Sequence, residues 1–182
     1  MKDALKRGFS LIELLVVVLI IGILAGIALP RYQRAVLESR YSKSKTLASA
    51  YIKAGKLYYM QRGLWPSSFN SLIITPPKGL KTLTPNGSDC VSSGDTYCCL
   101  TTGVVGGGGQ SPGVVCGTTD YAIALRYEFY GTQSEIYSCV AKNDDETAVE
   151  ICGEEGTFSS NSNLVTPEGH KTGYSFYRVS GS

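Results

Sequence analysis

A run of 21 residues, Phe9 to Leu29, is apolar throughout except for Ser10 and Glu13. A helix needs roughly 20 predominantly apolar residues to cross a bilayer, so the run is long enough to span one. The carboxylate is the anomaly. A charge placed inside hydrocarbon costs a few kcal/mol, which makes Glu13 a functional residue by default and implies a partner for it. The preceding segment, MKDALKRG, is short and polar, carries Lys2, Lys6 and Arg7, and ends on Gly8 directly before the run.

An ordinary secretory signal has an apolar core of about 7–15 residues followed by a small-residue cleavage site. Here the core is longer, holds a Glu, and passes through Ala25-Gly26-Ile27-Ala28 without an A-x-A pattern. A plain membrane anchor accounts for the length and the basic flank, which stays cytoplasmic. It leaves Glu13 unexplained.

The string Gly8-Phe9-Ser10-Leu11-Ile12-Glu13-Leu14-Leu15 closely resembles the processing site of type IV prepilins and of type II secretion pseudopilins. The resemblance implies that a prepilin peptidase removes residues 1–8 by cutting after Gly8 and N-methylates Phe9. It also implies that Glu13 neutralises the Phe9 amine of a neighbouring subunit as it enters a filament. The expected architecture is the α+β pilin fold: one long N-terminal helix packed on a small antiparallel sheet with a disulfide-closed C-terminal region. Residues 9–30 would form the transmembrane and assembly half of the helix, 31–62 its amphipathic half and 63–182 the head.

From Phe9 to about Arg62 nothing but Pro30 interrupts a helix, which would run about 80 Å at 1.5 Å per residue. Pro30 removes the hydrogen bond to the Gly26 carbonyl, and Gly22 and Gly26 weaken the turns before it. By resemblance, Gly22 to Pro30 is where local melting is expected; Gly22-x-x-x-Gly26 equally fits close packing of membrane helices. Further on, Leu47, Ala48, Tyr51, Ala54, Gly55 and Tyr58 recur at three- and four-residue spacing and should dock on the head. The lysines 43, 45, 53 and 56 fall largely outside that stripe. Gly63 and then Leu64-Trp65-Pro66 end the helix, with Trp65 pinning the connecting loop on the sheet.

Charge is unevenly distributed. Residues 31–62 carry a net +7 and residues 63–182 a net −6, so the chain without its leader is neutral. Opposite signs suit a molecule that stacks on copies of itself; the alternative is a simply solvated basic helix face. Nucleic acid is disfavoured as a partner, since assembly would partly cover the basic stripe.

Asp120 to Tyr130 alternates, with Ile123, Leu125, Tyr127 and Phe129 on one face, and Gly131-Thr132-Gln133 turns it into a second strand at residues 134–142. Asn143-Asp144-Asp145-Glu146 offers a helix cap, preferred here over a calcium site. Residues 173–180 make a final strand. The Gly106 to Gly109 run lacks the Lys and Ser/Thr of a phosphate loop.

All six cysteines, Cys90, Cys98, Cys99, Cys116, Cys139 and Cys152, follow residue 89. An even count beyond a membrane anchor reads as disulfides, with fifteen possible pairings. Adjacent Cys98 and Cys99 are expected to pin different segments. A Cys139–Cys152 bond resembles the terminal disulfide loop of many pilins; the other pairings stay open. The cysteine spacings do not make a zinc site, and the single His170 has no nucleophile nearby in sequence. Neither an enzyme nor a cofactor is expected.

The leading expectation is therefore a type IV pilus subunit. It would be held single-pass in the bacterial inner membrane with its head in the periplasm, then polymerised by the pilus assembly machinery into a surface filament of identical subunits. A type II secretion pseudopilin or a minor pilin is the alternative, and a plain membrane-anchored periplasmic binding module is the reading from another class.

Overall fold

A computed structural model describes residues 9–75, 81–83, 89–101, 111–130 and 135–179. Gly8 with the rest of the leader, the Gly106 to Gly109 run and the Gly131-Thr132-Gln133 turn lie outside the described residues. The chain divides into two compact units, residues 1–36 and 37–182.

One helix, α1, spans Leu11–Arg62. Ser10 caps its start: the Ser10 carbonyl accepts the first helical bond from the Leu14 amide, and Glu13 occupies the third helical position. Its end is set by Gly63, whose φ of +72° takes the left-handed conformation while its amide donates to the Tyr59 carbonyl at 2.7 Å. Glycine is the usual residue there because it carries no Cβ penalty. In the first unit the backbone stays helical through Gly22, Gly26 and Pro30.

The second unit carries an eight-stranded, wholly antiparallel sheet in the order β1-β2-β3-β4-β5-β6-β8-β7. Its strands are β1 (Lys81–Leu83), β2 (Asp89–Ser93), β3 (Thr96–Thr101), β4 (Gly113–Thr118), β5 (Ile123–Phe129), β6 (Glu135–Lys142), β7 (Gly156–Thr166) and β8 (Gly169–Val179). A second helix, α2 (Glu146–Glu155), joins β6 to β7. Asp145 caps it by accepting from the Ala148 amide at 3.0 Å, which is the work the acidic cluster performs. Strand β5 begins three residues later than the alternation implies, because Tyr121 takes a φ of +59°.

The sheet is larger than expected. The Cys-rich segment between residues 89 and 118, which shows no clear two-residue alternation, supplies three strands. Strands β3 and β4 are buried on both faces of the sheet, so apolar and small residues follow one another there without a solvent-facing phase. The two faces form separate cores. One contains Tyr41, Ala48, Tyr51, Ile52 and Ala54 of α1 against Val91, Cys98, Leu100, Ile123, Leu125, Tyr127 and Phe129. The other contains Cys90, Tyr97, Cys99, Val115, Ala124 and Val140 together with Leu164, Val165, Tyr174 and Phe176. The distal end of the β7–β8 hairpin thus lies over the sheet face that α1 does not cover.

The cysteine pattern follows from the two faces. Successive strand residues point to opposite sides, so Cys99 joins directly opposed Cys90 on β2, while Cys98 joins directly opposed Cys116 on β4. Neighbouring cysteines cannot meet each other but can hold β3 to both of its neighbours. The third disulfide joins Cys139 of β6 to Cys152 of α2.

Candidate assembly site

Glu13 sits on the first turn of α1, and its Oε2 accepts a hydrogen bond from the Ser10 amide at 2.9 Å. Ser-x-x-Glu at a helix start is one half of a capping box, in which the acid reaches back to the amide of the capping residue. A carboxylate offers about four acceptor positions, so this bond leaves Glu13 able to accept from a second donor. Phe9 lies just before the cap and is 80% exposed. Every large apolar side chain from Phe9 to Leu29 is exposed as well. The helix is long and apolar enough to cross a membrane, and an apolar surface of that extent marks a membrane or association site. At Gly22 and Gly26 the space that a Cβ would occupy is empty, so both are open to close approach by another helix.

Within the second unit the helix docks through a face wider than the six-residue stripe. Leu37, Tyr41, Ser44 and Ile52 are buried alongside Ala48, Tyr51, Ala54 and Gly55, while Leu47 and Tyr58 are half-buried. Burying a side chain such as Ile52 contributes about 1.5–3 kcal/mol. Trp65 fixes the turn after the helix. Its indole donates to the Gly113 carbonyl at 3.2 Å, stacks on Phe129 at 4.8 Å, and lies against Gly55 so closely that a Cβ there would fall 2.6 Å from the ring. Asp89 then ties the next loop to β2, accepting from the Ser68 hydroxyl at 2.7 Å and the Phe69 amide at 2.9 Å.

The basic stripe of α1 finds its acids within the same chain. Arg40 pairs with Asp120, Lys43 with Asp95, Lys45 with Glu155 and Lys56 with Glu135. Much of the opposite charge on helix and head therefore fixes the helix on its own sheet rather than awaiting a second copy. The sequence signal for this was the charge segregation itself, which cannot distinguish intramolecular from intermolecular pairing. Lys43 holds the Asp95 carboxyl below its ordinary pKa, chiefly through their hydrogen bond. Around Glu155 the contacts are denser: the Tyr41 hydroxyl donates to its Oε2 at 3.1 Å, and Lys45 also stands over the Tyr41 ring. Burial first, then the nearby Glu155 charge, pushes the Tyr41 phenol well above its usual value.

An exposed apolar helix with a single acid on its first turn, joined in sequence to a disulfide-tied antiparallel head, defines a protein of the pilin class. Comparison with known proteins agrees. The prokaryotic N-terminal methylation motif matches residues 4–29. The fimbrial protein EcpC of Eikenella corrodens is 36% identical over 126 residues, which cover 69% of this chain and 77% of that protein. The type IV major pilin protein PilE1 of Neisseria gonorrhoeae is 39% identical over 80 residues, 43% of this chain and 48% of the relative. The type IV major pilin PilA of Myxococcus xanthus is 38% identical over 74 residues, 41% of this chain and 34% of the relative. These matches span about half or less of the Neisseria and Myxococcus pilins. No solved structure matches. The chain belongs to the type IV pilin family.

Proposed function

We propose that this protein is a structural subunit of a type IV pilus. The observation that carries the reading is Glu13, a lone acid on the first turn of the helix within the otherwise apolar, exposed segment from Phe9 to Leu29, inside a matching methylation motif. A prepilin peptidase cuts after Gly8 and methylates the new amine of Phe9. The precursor waits in the inner membrane with its head in the periplasm, and the assembly machinery draws it into a filament at the cell surface. There the apolar helices replace lipid with copies of one another. The Phe9 amine of one subunit and the Glu13 carboxylate of the next neutralise each other, which removes the cost of burying either charge alone. Melting between Gly22 and Pro30 accompanies that packing.

Intact-mass spectrometry of sheared surface material from the native host tests this. The expected species begins at N-methylated Phe9 and lacks six hydrogens for three disulfides. The same species confined to the envelope would favour a pseudopilin, and an unprocessed chain would end the prepilin reading.

A further inference from the structure

Between α1 and the β2–β3 hairpin lies a half-open cavity of about 290 Å³, lined mainly by Leu47, Tyr51, Val91 and Cys98, with Lys43 and Thr46 beside them. Small-molecule pockets run from roughly 300 to 1,000 Å³. This cavity falls at the lower bound, sized for one large side chain.

The same unit exposes a side chain of that kind. Phe158 on β7 is 57% exposed, its ring meeting Tyr177 edge-on at 5.9 Å. Strand β7 is the outer strand at one end of the sheet, whereas the cavity opens beside β2 and β3 near the other. The helix confirms that these are different flanks. Lys43, on the cavity side, pairs with Asp95 in the β2–β3 turn, and Lys45 pairs with Glu155 next to β7. Two residues along a helix are roughly 200° apart.

Charge distinguishes the flanks too. On α2, Glu146, Glu150 and Glu154 are exposed at four-residue spacing, just before β7. On the cavity side, where Asp95 offsets Lys43, exposed Lys53 falls on the same helix face as Thr46 seven residues earlier. A knob on one flank and a complementary cavity on the other make a heterologous contact, which repeats head to tail into a ring or a filament rather than closing as a dimer.

We propose that Phe158 of one subunit seats in the Leu47/Tyr51/Val91/Cys98 cavity of a second copy, with the acidic face of α2 set against Lys53. The contact rests on the filament reading and names the lateral surface through which heads meet.

The test places a benzophenone-bearing phenylalanine at position 158 of the full chain, lets the native host assemble filaments, and irradiates them after shearing. The expected adduct joins position 158 of one chain to residues 43–51 or 91–98 of another. Adducts confined to other peptides, to lipid or to a different protein overturn the contact and leave the filament reading standing. Phe158→Ala gives a second readout: sheared filament yield drops several-fold while the unfolding midpoint of the protein stays in place. Unchanged yield overturns the contact. A wild-type chain that never leaves the membrane overturns both, so the two failures are distinguishable.

Discussion

At the residue scale, Glu13 has two separable properties, a hydrogen-bond acceptor used by Ser10 and a negative charge that the proposed filament would have to neutralise. Glutamine keeps the first and loses the second, since either residue serves at that position of a capping box. Glu13→Gln is therefore expected to yield processed, membrane-held protein with an intact helix start and at least a tenfold loss of sheared filaments. Wild-type filament yield from this variant would sink the charge-pairing role and leave only the cap. Gly55 makes an opposite kind of demand. The Trp65 ring occupies the place of its side chain, so Gly55→Ala is expected to destabilise the head by about 1–3 kcal/mol through overpacking. A guanidinium midpoint equal to that of the wild type would show that the indole can move aside.

At the scale of elements, strong periodicity was readable and uninterrupted burial was not. The α1 stripe and the alternation of Ile123, Leu125, Tyr127 and Phe129 each present one buried face, which a 3.6- or two-residue period reports directly. Strands β3 and β4 are buried on both sides and so carry no period. Strand β7 fails differently. Its residues 157–163 are exposed and, apart from Phe158, polar, and only Leu164 and Val165 reveal that its far end covers a second core. That covering is clasped at Tyr121: the Tyr174 hydroxyl donates to its carbonyl at 3.1 Å, and Lys171, paired with Glu168, stands over its ring at 4.3 Å. The Cys139–Cys152 bond ties the neighbouring elements, closing a 13-residue separation. A loop of this size is worth about 3 kcal/mol. Replacing both cysteines by serine should lower the head's unfolding free energy by about that amount, and a loss under 1 kcal/mol would mean that β6 and α2 are held mainly by packing.

At the scale of the whole molecule, two cores share a set of buried tyrosines that set the response to alkali. Burial holds the Tyr97 and Tyr127 phenols well above their usual value near 10, as it does Tyr41, and it moves Tyr121 and Tyr174 up to about 12. The folded state thus keeps protons that the unfolded chain releases above about pH 10. Their contribution is complete below that pH and falls as pH rises through about 12. The guanidinium midpoint should be level near pH 9 and drop steeply from pH 10 to 12. Over the same range ultraviolet absorbance should show part of the twelve tyrosines ionising late. A flat midpoint, with all twelve titrating together near 10, would contradict this account of the cores.

The three disulfides bear on how such a molecule would respond to a pull. All six half-cystines lie between residues 90 and 152, and the helix from Leu11 to Arg62 has none. Tension transmitted along the chain passes through the disulfides across residues 90–116 and 139–152, where contour length cannot be released, while residues 117–138 between them are spanned by no crosslink. In the helix it meets no covalent crosslink, and one backbone hydrogen bond is already removed by Pro30. Extension under load is therefore confined to the helix, residues 117–138 and the segments outside the two crosslinked stretches, and a reductant would add a further yield from residues 90–116 and 139–152 that oxidised protein lacks.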